Sequence, residues 1–213
     1  MPTRRPTSLL TQRKQPVQAR SRRTVQVILE ATAQVLVQLG YDGTTTGAVA
    51  ERAGVSIGTL YQYFPNKEAL VAELIDRHVN EVVNTVDHAL ASSRGHGPDR
   101  MIRDVVRASL DAHRLDPALH KVINEQVPRE GLMANALSIS QRLSDLLFSH
   151  LLEIAPDVPR ERMRLVAFVL ETTIEALTHR AVIESPEWLR TGRLEEEALT
   201  LLGPYLRQTL GRI

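Results

Sequence analysis

Gln62, Thr59 and Gly58 fall on one side of a helix when residues 57–63 are placed at about 100° per position. Each is suited to reading a nucleic acid. The amide of Gln62 can pair bidentately with adenine, and Thr59 offers a hydroxyl and a methyl for a base edge or a thymine methyl. Gly58 lets the backbone come close to a ligand. Leu60 and Phe64 fall on the other side and belong to a core. Ile57, Tyr61 and Tyr63 sit on the flanks, where the two phenol hydroxyls can reach phosphates. The DNA major groove, about 12 Å wide, admits one such helix.

Positioning that face requires the surrounding stretch, TTTGAVAERAGVSIGTLYQYFPNK at residues 44–67. Thr45 is suited to cap a helix running to about Ala53, with Val49, Ala50 and Ala53 inward. Gly54 stands where the chain must leave that helix at positive φ, and Val55 can plug the turn into the core. Ser56 then caps the reading helix. Pro65 ends it, because proline disfavours helical geometry at Phe64 and has no amide proton. Asn66 can cap a further helix with Lys67 in its first turn, where a phosphate would meet both an ammonium and free amides. A preceding helix, Ser21 to Leu39, repeats Val25, Ile28, Leu29, Thr32, Leu36 and Leu39 at three and four, with Gly40 as its C-cap. Arg22 and Arg23 lie near its start, within reach of phosphates. Helix, glycine turn, helix is also a common pairing in α-helical domains that bind no DNA.

The run GYDGTTTGAVAERAGVSIGTLYQYFPNKEAL resembles the DNA-binding domain of tetracycline-repressor-like (TetR/AcrR-type) transcriptional regulators. The resemblance rests on Gly40-Tyr41, Thr44-Thr45, Ala50, Ala53-Gly54-Val55-Ser56, Gly58, Leu60-Tyr61, Phe64 and Lys67-Glu68 to Leu70, and covers about residues 21 to 75. It implies an N-terminal three-helix DNA-binding unit and a larger C-terminal helical domain that binds a small molecule and forms a homodimer. It further implies DNA contacts at Thr45, Thr46, Ser56, Ile57, Gly58, Thr59, Tyr61, Gln62, Tyr63 and Lys67. The sequence departs from the family at Tyr63, where many members have histidine, and at Gly47, where a polar or charged side chain is usual. Both departures leave the operator sequence unreadable.

Charge supports a polyanion at one end only. Residues 1–70 carry nine Lys or Arg against four acids, net +5, while the whole chain is net +1. Residues 1–19, with three prolines and few hydrophobes, are expected to be a disordered basic leader whose Arg4, Arg5, Arg13 and Lys14 add non-specific affinity. There are no cysteines, so disulfides, thiolate catalysis and cysteine-based metal sites are excluded. The longest apolar run, Leu165 to Leu170, is far short of the ~20 residues of a bilayer span, and a soluble, cytoplasmic protein with no membrane partner is expected. No phosphate loop, dinucleotide fingerprint, paired-histidine zinc motif or serine elbow is present, so no enzyme activity is expected.

The remaining pattern is all-α, without strands or repeats. We expect a DNA-binding domain at 20–80, with the helix-turn-helix at 45–64, and a ligand-binding and dimerisation domain at 81–213. Helices are expected from Lys67 to about Leu90, on to about Leu115, from Pro117 to near Val127, from Glu130-Gly131 to Ile154, from Arg160 to Ile183 and from Arg193 to Leu210. Ser185 to Gly192 reads as a loop, and Pro204 should kink or end the last helix. The two long helices near the C-terminus are broadly apolar and are candidates for a four-helix dimer interface. His113, Glu125, Gln126, Thr172, Glu175 and His179 are candidates for the polar groups of a ligand pocket. Glu171, Glu175 and His179 lie four apart on one helix, but three ligands along a straight helix diverge, so neither a metal site nor a cofactor is expected. His113, His120 and His150 read individually as structural. The expectation is a ligand-responsive regulator, a repressor binding a double-stranded, near-palindromic operator as a homodimer and released by a small-molecule effector. The alternative is a helical small-molecule carrier or enzyme with a purely structural head.

Overall fold

A computed structural model describes residues 19–114, 116–128 and 133–211, and every regular element among them is an α-helix. In order these are α1 (Ala19–Gly43), α2 (Thr46–Ala53), α3 (Ile57–Tyr63), α4 (Lys67–Ser93), α5 (Pro98–Arg114), α6 (Pro117–Gln126), α7 (Met133–Ile154), α8 (Arg160–Glu184), α9 (Pro186–Thr191) and α10 (Arg193–Leu210). The basic leader and the Glu130-Gly131 start expected for α7 lie outside the described residues. The chain divides into two compact units. One comprises residues up to His78 with Val122–Arg129; the other comprises Val79–Lys121 with Glu130–Ile213.

In the first unit, α1 packs on α2 and α2 on α3. Ile28, Leu36, Val49, Leu60, Phe64 and Leu70 are fully buried and form its centre. Each such side chain withdrawn from water is worth about 1.5–3 kcal/mol. Gly40 ends the long first run of α1, as expected: at φ 71 and ψ 178 it leaves helical geometry, and residues 41–43 make one more turn beyond it. Thr44 closes that turn, its hydroxyl donating to the Gly40 carbonyl at 2.7 Å. The Gln126 Oε1 accepts the Tyr41 N–H at 3.1 Å, so the second chain segment of this unit is hydrogen-bonded to the first.

The second unit packs α7 on α8, α5 on α8 and α10, and α9 among α5, α8 and α10. α5 shows why: Met101, Ile102, Val105, Val106, Ser109, Leu110, Ala112 and His113 are its buried residues, while Arg103, Arg107 and Asp111 remain exposed. One expectation fails here. The segment expected as a loop contains α9, because Pro186 presets φ at its first turn and Leu189 is buried. Its Leu189 carbonyl accepts hydrogen bonds from the Arg114 guanidinium. α10 runs through Pro204 to Leu210, its expected end. Proline removes one backbone bond, but Leu202, Leu206 and Leu210, on either side of it, are all buried and hold the helix together.

Candidate nucleic-acid interface and ligand cavity

Two side-chain caps build the reading helix. Thr45 Oγ1 accepts the Ala48 N–H at 3.1 Å and starts α2. Gly54, at φ 66 and ψ 30, ends it, and the Val55 N–H returns to the Ala50 carbonyl at 3.0 Å. Ser56 Oγ then accepts the Thr59 N–H at 3.0 Å and shares a 2.8 Å hydrogen bond with the Thr59 hydroxyl. Phe64 is extended, so α3 stops ahead of Pro65, and Asn66 Oδ1 caps α4 through the Ala69 N–H at 2.8 Å.

The outer face of α3 is open within its unit. Gly58 and Gln62 are exposed, Thr59 is half-buried, and Ile57 and Tyr61 keep 44% and 42% of their surface. Ile57 is an apolar side chain set at the first turn of that face, where it can meet a thymine methyl. Tyr61 bridges α3 to α2, its hydroxyl 3.0 Å from that of Thr46. One of the two hydroxyls donates to the other, and both retain acceptor capacity for a further donor. Thr45 and Ser56 are exposed at their helix starts, and Arg22 and Arg23 are exposed near the start of α1.

Two of the expected contacts sit differently. Tyr63 is buried, 7% exposed, rather than on the flank, because α3 is short and its last turn folds under with Phe64. Lys67 is half-buried and already engaged: its Nζ donates to the Tyr41 carbonyl at 3.0 Å and lies 4.4 Å from the centre of the Tyr41 ring. Two of its three protons remain for other acceptors.

The second unit contains a small cleft, partly open to solvent. Val82 and Val86 of α4, Val105 of α5, Leu143 and Leu147 of α7 and Ile174 of α8 make its wall apolar. Ser109, His113, Glu171, Glu175 and Thr178 supply the polar groups. Glu171 is buried and its Oε1 has no hydrogen-bond partner among the described residues. Burial pushes its carboxyl above the usual range; the Glu175 charge pushes the same way, and hydrogen bonds from Ser140 and Thr172 pull it back. An apolar cavity with a few convergent polar groups, one carrying a perturbed carboxyl, has the character of a small-molecule site.

The six candidates for this pocket therefore separate. His113 and Glu175 line the cavity. Gln126 does not: it belongs to the first unit and is committed to Tyr41. Glu125 is an exposed residue of that same unit. Thr172 is exposed, and its hydroxyl donates to Glu171 Oε2 at 3.3 Å from outside the lining. His179 lies beside Glu175, its Nδ1 3.7 Å from a carboxylate oxygen. Burial holds its imidazole below the ordinary value, with Glu175 opposing the shift.

Sequence spacing missed one grouping. Ligands along a single helix diverge, but His113 of α5, His120 of α6 and His179 of α8 converge. One ring nitrogen of each lies within 4.8 Å of those of the other two. His113 and His120 stack with ring centroids 4.3 Å apart, and His179 is tilted against His113 at 4.9 Å. No local motif signals this cluster, because its three members come from three helices.

Residues 28–74 match the family described as bacterial regulatory proteins, tetR family, and residues 97–206 match the tetracyclin repressor-like C-terminal domain. The chain is 28% identical over 142 residues to the HTH-type transcriptional activator FasR of Mycolicibacterium smegmatis, covering 66% of this chain and 64% of that protein. It is 30% identical over 127 residues to the HTH-type transcriptional repressor KstR of Rhodococcus jostii, covering 57% and 56%. The chain thus spans somewhat under two thirds of the length of these relatives. A TetR-family transcriptional regulator from Streptomyces coelicolor superposes with a TM-score of 0.68 at 28% identity, covering 90% of this chain and 99% of that one.

Proposed function

The chain belongs to the tetracycline-repressor-like family of bacterial regulators, and from that premise we propose that it binds an operator as a homodimer, represses from it, and is released by a small molecule held in the cavity of its second unit. The observation that carries the reading is the outward face of α3. Gly58 and Gln62 are exposed on a helix whose Leu60 is fully buried, with Phe64 buried just beyond its end and serine and threonine caps fixing its start and that of its neighbour. That combination holds a short helix rigidly while leaving its base-reading side empty. The site residues are Arg23, Thr45, Thr46, Ser56, Ile57, Gly58, Thr59, Tyr61 and Gln62, with Lys67 supporting the Tyr41 turn and meeting phosphate with its remaining protons.

Dimerisation is supported by apolar side chains that the second unit leaves uncovered. Leu165 and Phe168 of α8 are 61% and 58% exposed, and Leu201 of α10 is comparably open. A two-fold pairing of these helices buries them and sets two reading helices at operator half-site spacing. Release follows if the effector binds more tightly to a dimer whose reading helices are misplaced; the loss of DNA affinity equals that differential binding. Among the described residues no helix is long and apolar enough to cross a membrane, which accords with work in the cytoplasm where the operator lies. The reading contains no catalytic step.

A gel-shift titration on the DNA upstream of the protein's own gene tests this. Binding should weaken steeply with salt, and Gln62→Ala should cost about 1–3 kcal/mol and relax preference at one position of each half-site. Sequence-independent binding that Gln62→Ala leaves unchanged would overturn the proposal.

A further inference from the structure

The geometry points to a site for one divalent transition-metal ion of zinc-like chemistry, held by the imidazoles of His113, His120 and His179. Three helices deliver these rings to one place within the second unit, and His113 arrives with a defined tautomer. His113 Nδ1 lies 2.7 Å from the Ser109 carbonyl. A carbonyl only accepts, so Nδ1 carries the proton and Nε2 presents a lone pair. His179 Nδ1 faces the Glu175 carboxylate at 3.7 Å, which favours the same arrangement there. A protonated Nδ1 turned to a carbonyl or a carboxylate, with Nε2 as ligand, is how proteins orient metal-binding histidines.

The donor set decides the class of ion. Three neutral imidazoles suit zinc, nickel, cobalt or copper and are poor ligands for magnesium or calcium, which take oxygen. A tetrahedral ion with bonds of about 2.05 Å places its ligands about 3.3 Å apart. The nitrogens now lie within 4.8 Å of one another, so an entering ion draws them together by about 1.5 Å or less, a shift that small imidazole rotations supply. Three protein ligands leave a fourth position for water or another donor. His113 and Glu175 also line the cavity, so the ion sits at its border.

The site is tested on full-length protein stripped by a chelator, with Zn²⁺ alone as titrant, by calorimetry and by competition with a chromophoric chelator. Co²⁺ serves as the spectroscopic probe of geometry. The expected result is one Zn²⁺ per chain, a rise in melting temperature with Zn²⁺, and a Co²⁺ spectrum of tetrahedral intensity. His120→Gln and His179→Gln should each weaken binding by about 100-fold or more, while exposed His88→Gln leaves it unchanged. Circular dichroism checks that each variant is folded. Should the buried-histidine variants not fold, Glu175→Gln keeps the test decisive, because loss of the orienting carboxylate should weaken Zn²⁺ about 10-fold. Absence of saturable Zn²⁺ binding, or binding that these substitutions leave intact, overturns the site. None of these readouts involves DNA, so the outcome is independent of whether the protein regulates transcription.

Discussion

Replacing Gly40 by alanine should strain the DNA-reading unit in two separable ways. The residue sits at φ 71 and ψ 178, a conformation essentially confined to glycine, and holding alanine there costs of order 1–3 kcal/mol. The added Cβ would lie 2.5 Å from Gln126 Oε1, closer than any real contact. Oε1 is the far end of a flexible side chain, so Gln126 can swing away, but only by giving up the Tyr41 N–H. That bond is exposed and contributes about 0.5–1 kcal/mol. Together Gly40→Ala should cost about 2–4 kcal/mol, which for a chain of this size lowers Tm by on the order of 10 °C. Urea unfolding followed by circular dichroism measures the cost. Made in a Gln126→Ala background, the same change should cost only the backbone share, so the double mutant should be less destabilised than the sum of the singles by the value of the lost hydrogen bond. A Gly40→Ala protein within about 0.5 kcal/mol of the parent would refute the backbone argument. Additive singles would refute the contact argument.

Two predictions concern pH. Burial holds His150 below the ordinary imidazole value, against an opposing pull from Glu153 and with a smaller push from Arg94. The unfolded chain therefore takes up this proton first. Its contribution to stability is complete above the unfolded value near pH ~6.5 and is lost as pH falls through the folded value. His150→Gln should flatten the dependence of urea stability on pH in that window, and an unchanged slope would contradict it. Glu171 behaves oppositely. Its raised folded value means stability is greatest below the usual carboxylate range and is lost as pH rises through the folded value. Glu171→Gln should thus gain stability relative to the parent at pH 8 compared with pH 4; a gain that does not grow with pH would show that the carboxyl ionises freely.

The reading helix was legible in the sequence because its determinants are local. Thr45, Gly54, Ser56 and Pro65 each act within four residues, and each performs the capping or stopping role its chemistry suggests. Helix ends elsewhere were legible for the same reason, as at Pro117 and Arg193. Tyr63 was misplaced because a helix of seven residues has no room for a clean flank, and its last turn is governed by how Phe64 packs. α9 escaped notice because its one buried anchor, Leu189, is recognisable only from α5, which holds its carbonyl through Arg114. The pocket was hardest to read. Of the polar residues nominated, Gln126 turned out to serve the other unit, while Glu171 and the partner ring of His120 became evident only when separate helices were brought together.

Gln126 also bears on how this protein can be taken apart. The DNA-reading unit draws on two stretches of chain, because residues 122–129 cluster with the first 78. A fragment cut after the first helical third, as a minimal reading head, would omit the amide that receives Tyr41 and expose the hollow above Gly40. Supplying residues 117–129 as a separate peptide, rather than lengthening α4, is the repair that such a fragment would call for.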